Sequence, residues 1–263
     1  MKILILGTGK IGTWLAENLK KEHEISVFDI RIEQALKLSG VAVFRKRSEI
    51  KNFRPQIVIN AVSIQNTITA FESIVSYLPN NCILSDVRSV KGGICDYYMG
   101  CGFLFASVHP MFGPVVAGAA RLRNENVIIL RESCPEGIQF FQDFFKRMGL
   151  RIFAYSFDEH DRLMAYSLTL PFASSLVFAA NMDEITVPGS TFKKHLEIAG
   201  GLLAEDDHLL AEILFNPYSI HQLEKVNSKL EFLKHVIRQK DLDEAKMFFE
   251  QLRNNIKGSS RGS

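Results

Sequence analysis

The chain has 263 residues, 47% hydrophobic and 23% charged, with 31 Lys and Arg against 29 Asp and Glu for a net charge of +2. That length holds one large or two ordinary domains, twenty phenylalanines supply an aromatic-rich core, and so small a charge excludes a broad nucleic-acid surface. Cys82, Cys95, Cys101 and Cys134 have neither C-x-x-C spacing nor a histidine series beside them, which argues for reduced thiols and against zinc.

The chain opens on Lys2-Ile-Leu-Ile-Leu6, an apolar run of the kind a buried parallel strand needs, and leads into Gly7-Thr8-Gly9-Lys10-Ile11-Gly12. This is G-x-G-x-x-G. Gly7 permits the tight turn, Gly9 leaves room for a pyrophosphate, and Gly12 lets the next helix pack closely on the strand. Trp14 to Leu19 has helical spacing, so the loop feeds a helix whose free amides face the phosphates, with Thr8, Lys10 and Ile11 in the same cradle. The following strand, Glu24 to Asp29, ends on an acid placed to grip ribose hydroxyls. Asp29 favours NAD by repelling a 2′-phosphate, Arg31 could accommodate one, and a helix cap is the alternative role for Asp29.

Arg45-Lys46-Arg47 is expected on a solvated loop. Gln56 to Asn60 and Cys82 to Ser85 read as further buried strands, separated by an amphipathic stretch from Ile64 to Tyr77, with Ala61 and Val62 as further cofactor contacts. Leu104 to Ser107 and Val127 to Leu130 continue the sheet, and Gly137 to Met148 with Arg151 to Tyr155 adds a last helix and strand. The alternation predicts a Rossmann-type, doubly wound parallel sheet over residues 1–156. From Asp158 the period is helical, over Asp158 to Asn181, Thr191 to Leu214, Tyr218 to Gln239 and Leu242 to Asn255, which predicts an all-helical domain over residues 157–257. Gly200-Gly201 inside a helix costs about 1 kcal/mol per glycine relative to alanine and suggests a close crossing or a ligand approach. The small, polar residues 258–263 are expected to be a disordered tail.

Met1 leads directly into a strand, so no signal peptide is expected, and no apolar segment is expected to approach the about 18 residues of a membrane span. A cytoplasmic protein without membrane or nucleic-acid partners follows. In Val108-His109-Pro110-Met111-Phe112-Gly113-Pro114, proline disfavours helical angles at the residue before it, which predicts that His109 sits on a turn bounded by Pro and Gly. An imidazole held there, downstream of a dinucleotide-type loop, points to a redox enzyme.

Three segments, the glycine loop, Asp86-Val87-Arg88-Ser89-Val90-Lys91 and His109 to Pro114, together resemble the prephenate dehydrogenase family of tyrosine biosynthesis. His160-Asp161 and Leu202 to Ile213 extend the resemblance over most of residues 1–256. It implies oxidative decarboxylation of prephenate or arogenate, with hydride passing from the hydroxyl carbon to NAD as the ring carboxylate leaves as CO2. It also implies His109 as the catalytic base and Ser89 as a hydrogen-bonding hydroxyl beside the substrate hydroxyl and the nicotinamide. On residues alone Ser89 could instead be an N-cap, Lys91 either a source of positive potential for the substrate or an exposed helix lysine, and His160-Asp161 a helix start with an acidic first turn.

One departure from the family's pattern is clear. The arginine that the family places in the helical domain for the ring carboxylate falls on Gly201, and its Tyr-Arg pair appears as Phe192-Lys193, leaving Lys193 or Lys194 as a point charge in place of a planar fork. Two other readings are open: another Rossmann dehydrogenase or imine reductase, and a catalytically silent cofactor-binding regulatory module. Four helices over about a hundred residues leave apolar faces on Thr191 to Leu214 and Tyr218 to Gln239, so a homodimer through the helical domain is expected.

Overall fold

In a computed structural model, residues 1–112, 122, 125–184 and 187–259 are described. Eight strands, β1 (Lys2–Leu6), β2 (Glu24–Phe28), β3 (Ala42–Phe44), β4 (Ile57–Asn60), β5 (Ile83–Asp86), β6 (Leu104–Pro110), β7 (Asn126–Leu130) and β8 (Arg151–Tyr155), form one sheet. Their order is β3-β2-β1-β4-β5-β6-β7-β8. The first six follow the order of a dinucleotide-binding sheet, whose ligand crevice opens where the chain reverses direction across β1 and β4. Strand β1 shows why the apolar runs lack alternation. Ile3 and Ile5 pack on one face with Trp14, Leu15 and Leu19, while Leu4 and Leu6 pack on the other with Val58 and Phe71. A strand covered on both faces must be apolar at every position.

The sheet is parallel from β3 through β6, then departs from the all-parallel expectation, because β7 runs antiparallel to β6. A parallel neighbour would need the chain to return to the far end of the sheet. Instead Met111 N, just past β6, donates to Asn126 O at the start of β7 (2.9 Å), so the two ends lie side by side. His109 is also corrected. It lies within β6, opposite Ile128 of β7, and not on a turn. The restriction that bars helical angles before Pro110 favours the extended backbone of a strand equally well. Gly113 and Pro114 lie outside the described residues.

A capping box opens the helical region: the Ser156 hydroxyl accepts from Glu159 N (3.2 Å) and Glu159 Oε2 accepts from Ser156 N (2.8 Å). Helix Phe157–Met164 passes through a π-helical turn, Ala165–Thr169, into Leu170–Ala180. This 24-residue segment corrects the expectation about apolar length, since by length and composition it is long and apolar enough to cross a membrane. Two of its hydroxyls fold back on the helix, Ser167 onto Leu163 O and Ser174 onto Leu170 O.

The helix expected from Thr191 to Leu214 is two helices, Ser190–Leu203 and Asp207–Leu214. Asp206 makes the break, its Oδ1 accepting from His208 N (3.1 Å) and Leu209 N (3.3 Å) as an N-cap. Gly200 and Gly201 make no close crossing: a Cβ on either would meet nothing within 4 Å. The stretch from Ile64 to Tyr77 is shorter in α-helix than its pattern suggests, with Thr67–Glu72 flanked by 3-10 turns.

Residues 1–218 form one compact unit and residues 219–263 another. The second consists, among the described residues, of helices Ser219–Gln239 and Leu242–Ser259, with the Phe232 and Phe248 rings 5.0 Å apart. Its last helix runs through Gly258 to Ser259, two residues into the expected tail; residues 260–263 lie outside the described residues.

Helix Lys10–Leu19 starts on Gly9 with no side-chain cap. A Cβ on Gly12 would stand 1.9 Å from the Gly7 carbonyl oxygen, whereas one on Gly9, whose φ is −64°, would meet nothing within 4 Å. Gly12→Ala is therefore expected to lower stability by about 1–3 kcal/mol, about 2–10 °C in Tm, while Gly9→Ala leaves Tm unchanged. Thermal melts of the two variants decide this, and equal Tm values would refute it.

Candidate active site

The glycine loop is braced from β2. Thr8 donates to Asp29 Oδ2 through its backbone N (2.6 Å) and its hydroxyl (2.7 Å), and Arg31 N donates to Asp29 Oδ1 (2.8 Å). Asp29 thus stands at the expected end of the second strand, and helix Ile32–Ala35 takes no side-chain cap from it. A carboxylate offers about four lone-pair sites over its two oxygens, and with two bonds on Oδ2 and one on Oδ1 acceptor capacity remains on Oδ1 for a ribose hydroxyl. Gly7 N donates to Phe28 O (2.9 Å), and a Cβ on Gly7 would press 2.9 Å from Val62 Cγ1. Loop, Asp29, Ala61 and Val62 thus converge, whereas Lys10 and Arg31 are exposed at its edge.

A cavity of about 500 Å³ opens beside this loop, lined by Ile11, Ala61 and Val62 on one side and by Arg88, Ser89 and His109 among others. Ser89 is on the wall and is not an N-cap, because the next helix, Ile94–Gly100, starts from Gly93. Lys193 and Lys194 are exposed on helix Ser190–Leu203 and are not among the described residues that line the cavity.

His109 is only 6% exposed, and its orientation is set by a chain of hydrogen bonds that its sequence neighbourhood does not reveal. Its Nδ1 lies 3.0 Å from His160 Nε2, and His160 Nδ1 lies 2.8 Å from Asp161 Oδ1. A carboxylate only accepts, so His160 carries its proton on Nδ1 and leaves Nε2 as an acceptor. His109 must then donate through Nδ1, which leaves its Nε2 unprotonated and without a hydrogen-bond partner among the described residues. Burial first, then His160 and Lys91, hold the His109 pKa well below the ordinary histidine value. Burial also lowers His160, against the pull of Asp161. A neutral imidazole with one committed donor and one unprotonated nitrogen can accept a proton as a general base does. A proton gained at Nε2 places positive charge on a ring linked through His160 to a carboxylate.

Asp161 is itself held. Its Oδ1 accepts from Lys91 N (3.0 Å), and its carbonyl accepts from Asn216 Nδ2 (2.9 Å). Lys91 corrects the expectation of an exposed helix lysine; it does not line the cavity, but its charge acts on His109. It is 1% exposed, and its Nζ donates to Asp86 Oδ2 (2.5 Å) and Val108 O (2.8 Å). Burial acts to raise the Asp86 pKa, but the Lys91 ammonium outweighs it and holds the carboxyl below its usual range. The Tyr98 hydroxyl donates to the other oxygen, Oδ1 (2.8 Å).

Sequence reasoning missed the roles of His160, Asp161 and Asp86. The only signal for the first two was an adjacent His-Asp doublet at a helix start, and nothing in it showed that His160 is fully buried against His109.

Two titration results follow from the lowered histidine pKa values. His109 is expected to titrate below the ordinary value of about 6.5, as the Nδ1-protonated tautomer, by 15N NMR of the labelled rings. Because the folded state binds these protons less readily than the unfolded chain, stability is fully present above about pH 6.5 and is lost as pH falls through the folded pKa values. A midpoint at or above 6.5, or the Nε2 tautomer in the unmodified protein, would overturn the assignment.

Comparisons with known proteins agree with this arrangement. Residues 15–154 match the family model for the nucleotide-binding domain of prephenate dehydrogenase. A probable arogenate/prephenate dehydrogenase of Methanocaldococcus jannaschii is 24% identical over 257 residues, covering 90% of this chain and 57% of that protein. The T-protein of Haemophilus influenzae is 27% identical over 229 residues, covering 81% of this chain and 55% of that protein. The chain thus spans little more than half the length of these two relatives. Prephenate dehydrogenase of Aquifex aeolicus, solved with hydroxyphenyl propionate and NAD+, shares the fold with a TM-score of 0.84 at 18% identity, covering 98% of each chain. With the glycine loop, the reversed sheet order and a family match over more than half of its residues, the chain belongs to the prephenate dehydrogenase family.

Proposed function

We propose that this chain is an NAD-dependent prephenate dehydrogenase that converts prephenate to 4-hydroxyphenylpyruvate. The observation that carries the reading is His109, buried on the cavity wall with its Nδ1 committed to His160 and its Nε2 unprotonated. The cofactor cradle fits the dinucleotide: Gly9 has open space for a close approach, the helix N-terminus has no side-chain cap, and Asp29 has acceptor capacity left. Gly7 to Gly12 would hold the pyrophosphate, Asp29 the adenosine ribose, and Ile11, Ala61 and Val62 the apolar wall. NAD, when bound, supplies the hydride acceptor.

His109 Nε2 takes the proton of the substrate hydroxyl as hydride leaves the carbon that bears it. Ser89, on the same wall, hydrogen-bonds the hydroxyl and keeps it directed at the base. His160 and Asp161 spread the charge that His109 gains. Loss of CO2 from the ring then passes its electron pair to the new carbonyl oxygen, which takes the proton back from His109 and completes an aromatic product. The relatives' names include both prephenate and arogenate, which differ at the side-chain keto or amino group. Prephenate is the substrate proposed here.

The remaining parts of the reading concern organisation. Residues 1–156 are the dinucleotide-binding domain and residues 157–257 the substrate and dimerisation domain. Val177, Leu196, Ile198 and Leu203 are exposed on helices Leu170–Ala180 and Ser190–Leu203, an apolar surface that a second copy would cover. Four free cysteines suit a cytoplasmic setting, where thiols stay reduced.

NADH formation with prephenate and with arogenate, run in parallel, is the direct test. Turnover is expected with prephenate, with a lower kcat/KM for NADP than for NAD. His109→Asn should retain NAD affinity while kcat falls by about 10² to 10⁴. Near-normal kcat in that variant would sink the base assignment. Light scattering is expected to give a mass of two chains, and a mass of one chain, 29.7 kDa, at micromolar concentration would overturn the dimer.

A further inference from the structure

We infer that Arg88 is the anion anchor of the cavity, its guanidinium receiving a carboxylate of the small substrate beside the hydroxyl that His109 deprotonates. The inference deepens the proposed function and rests on it for the substrate's identity, but the side chain makes its own case. Arg88 is 7% exposed and lines the cavity. Its backbone N donates to Asp86 Oδ2 (3.0 Å), which fixes the turn that follows β5. Of the five N–H donors of a guanidinium, one is seen in use, Nη2 to Gly92 O (3.2 Å). Nε is buried and has no hydrogen-bond partner among the described residues.

No carboxylate forms an ion pair with Arg88 among the described residues. Asp86, two residues earlier, is taken by Lys91, by Tyr98 and by the Arg88 backbone. A desolvated cation without a counter-charge is costly, and an anionic ligand would relieve that cost with charge-assisted hydrogen bonds. Arg88 is also the one permanent cation among the described lining residues. Glu205 and Asp206 line the cavity too, but both are exposed, where water and salt screen their charge.

Strand register puts this cation at the reacting end. Asp86, the last residue of β5, pairs with Ser107 of β6, so the turn that carries Arg88 begins two residues short of His109, which is still within β6. The phosphate-binding loop follows β1, and β4 lies between β1 and β5. Two strand spacings, about 10 Å, therefore separate the start of the loop from the Arg88 turn. The anion that Arg88 meets is a carboxylate of the substrate and not a phosphate of the dinucleotide.

The test is calorimetric titration of the NAD-loaded protein with 4-hydroxycyclohexane-1-carboxylate and with its carboxamide. The unmodified protein is expected to bind the acid at least about tenfold more tightly than the amide. Arg88→Met should abolish that preference and leave NAD affinity within about twofold. Arg88→Lys keeps a charge and a donor for Gly92 O, so it guards against loss of fold, and it should retain only part of the preference because a point charge replaces a fork. No preference in the unmodified protein, or full preference in either variant, would overturn the inference, as would an Arg88→Met protein that loses NAD affinity instead. An Arg88-dependent preference without turnover of prephenate or arogenate would sink the substrate reading and leave the anchor standing. Turnover with the preference intact in Arg88→Met would do the reverse.

Discussion

The buried ammonium of Lys91 joins the parts of the site that the chain supplies from distant positions. Its Nζ spans the end of β5, at Asp86, and the β6 backbone at Val108, the residue before His109, while its backbone N holds Asp161 of the helical region. Each of these groups is out of water, so the attraction is little screened and each polar atom must find its partner within the protein. Removing one member of such a pair strands a buried charge, a loss of about 3–5 kcal/mol. The strength of the cluster lies in its completeness: Asp86 meets Lys91, Tyr98 and the Arg88 backbone, and Lys91 meets a carboxylate and a carbonyl.

Asp161 is where this support becomes chemistry. The same oxygen, Oδ1, receives Lys91 N and His160 Nδ1. The position of the carboxylate is set by the sheet, and the carboxylate in turn sets the tautomer of two imidazoles. A base made this way needs no charge of its own at rest. Burial keeps both rings neutral, and the unprotonated Nε2 of His109 is a consequence of hydrogen-bond direction. The cofactor side shows the same economy, since Asp29 braces the glycine loop through Thr8 while standing where a ribose would meet it.

Much of this was legible in the residues. The unbroken apolar run of Lys2 to Leu6 could only suit a strand covered on both faces, G-x-G-x-x-G named its own turn, and Asp29 fell at the end of the next strand as the spacing required. Ser89 and His109 were both selected as chemistry-bearing and do line one cavity. The errors have common causes. The residue before a proline is disfavoured in a helix, which the local sequence of His109 presents as a turn, and the same restriction is met by a strand. Lys91 was judged from its type, since a lysine is almost never fully buried unless it is paired, and the pairing partner is invisible to composition.

The sequence by itself determined the elements whose cause is local: the sheet with its glycine turn, the helical second half, and the exclusion of helix at His109. Only the tertiary structure decided which helix end met which strand end. His109 and His160 are 51 residues apart, and Lys91 and Asp161 are 70 apart. Periodicity reports which face of an element is apolar, but it carries no information about which polar atom on another element will face it. Burial and hydrogen-bond direction, on which the proposed roles of His109 and Arg88 rest, exist only once those distant segments have packed together.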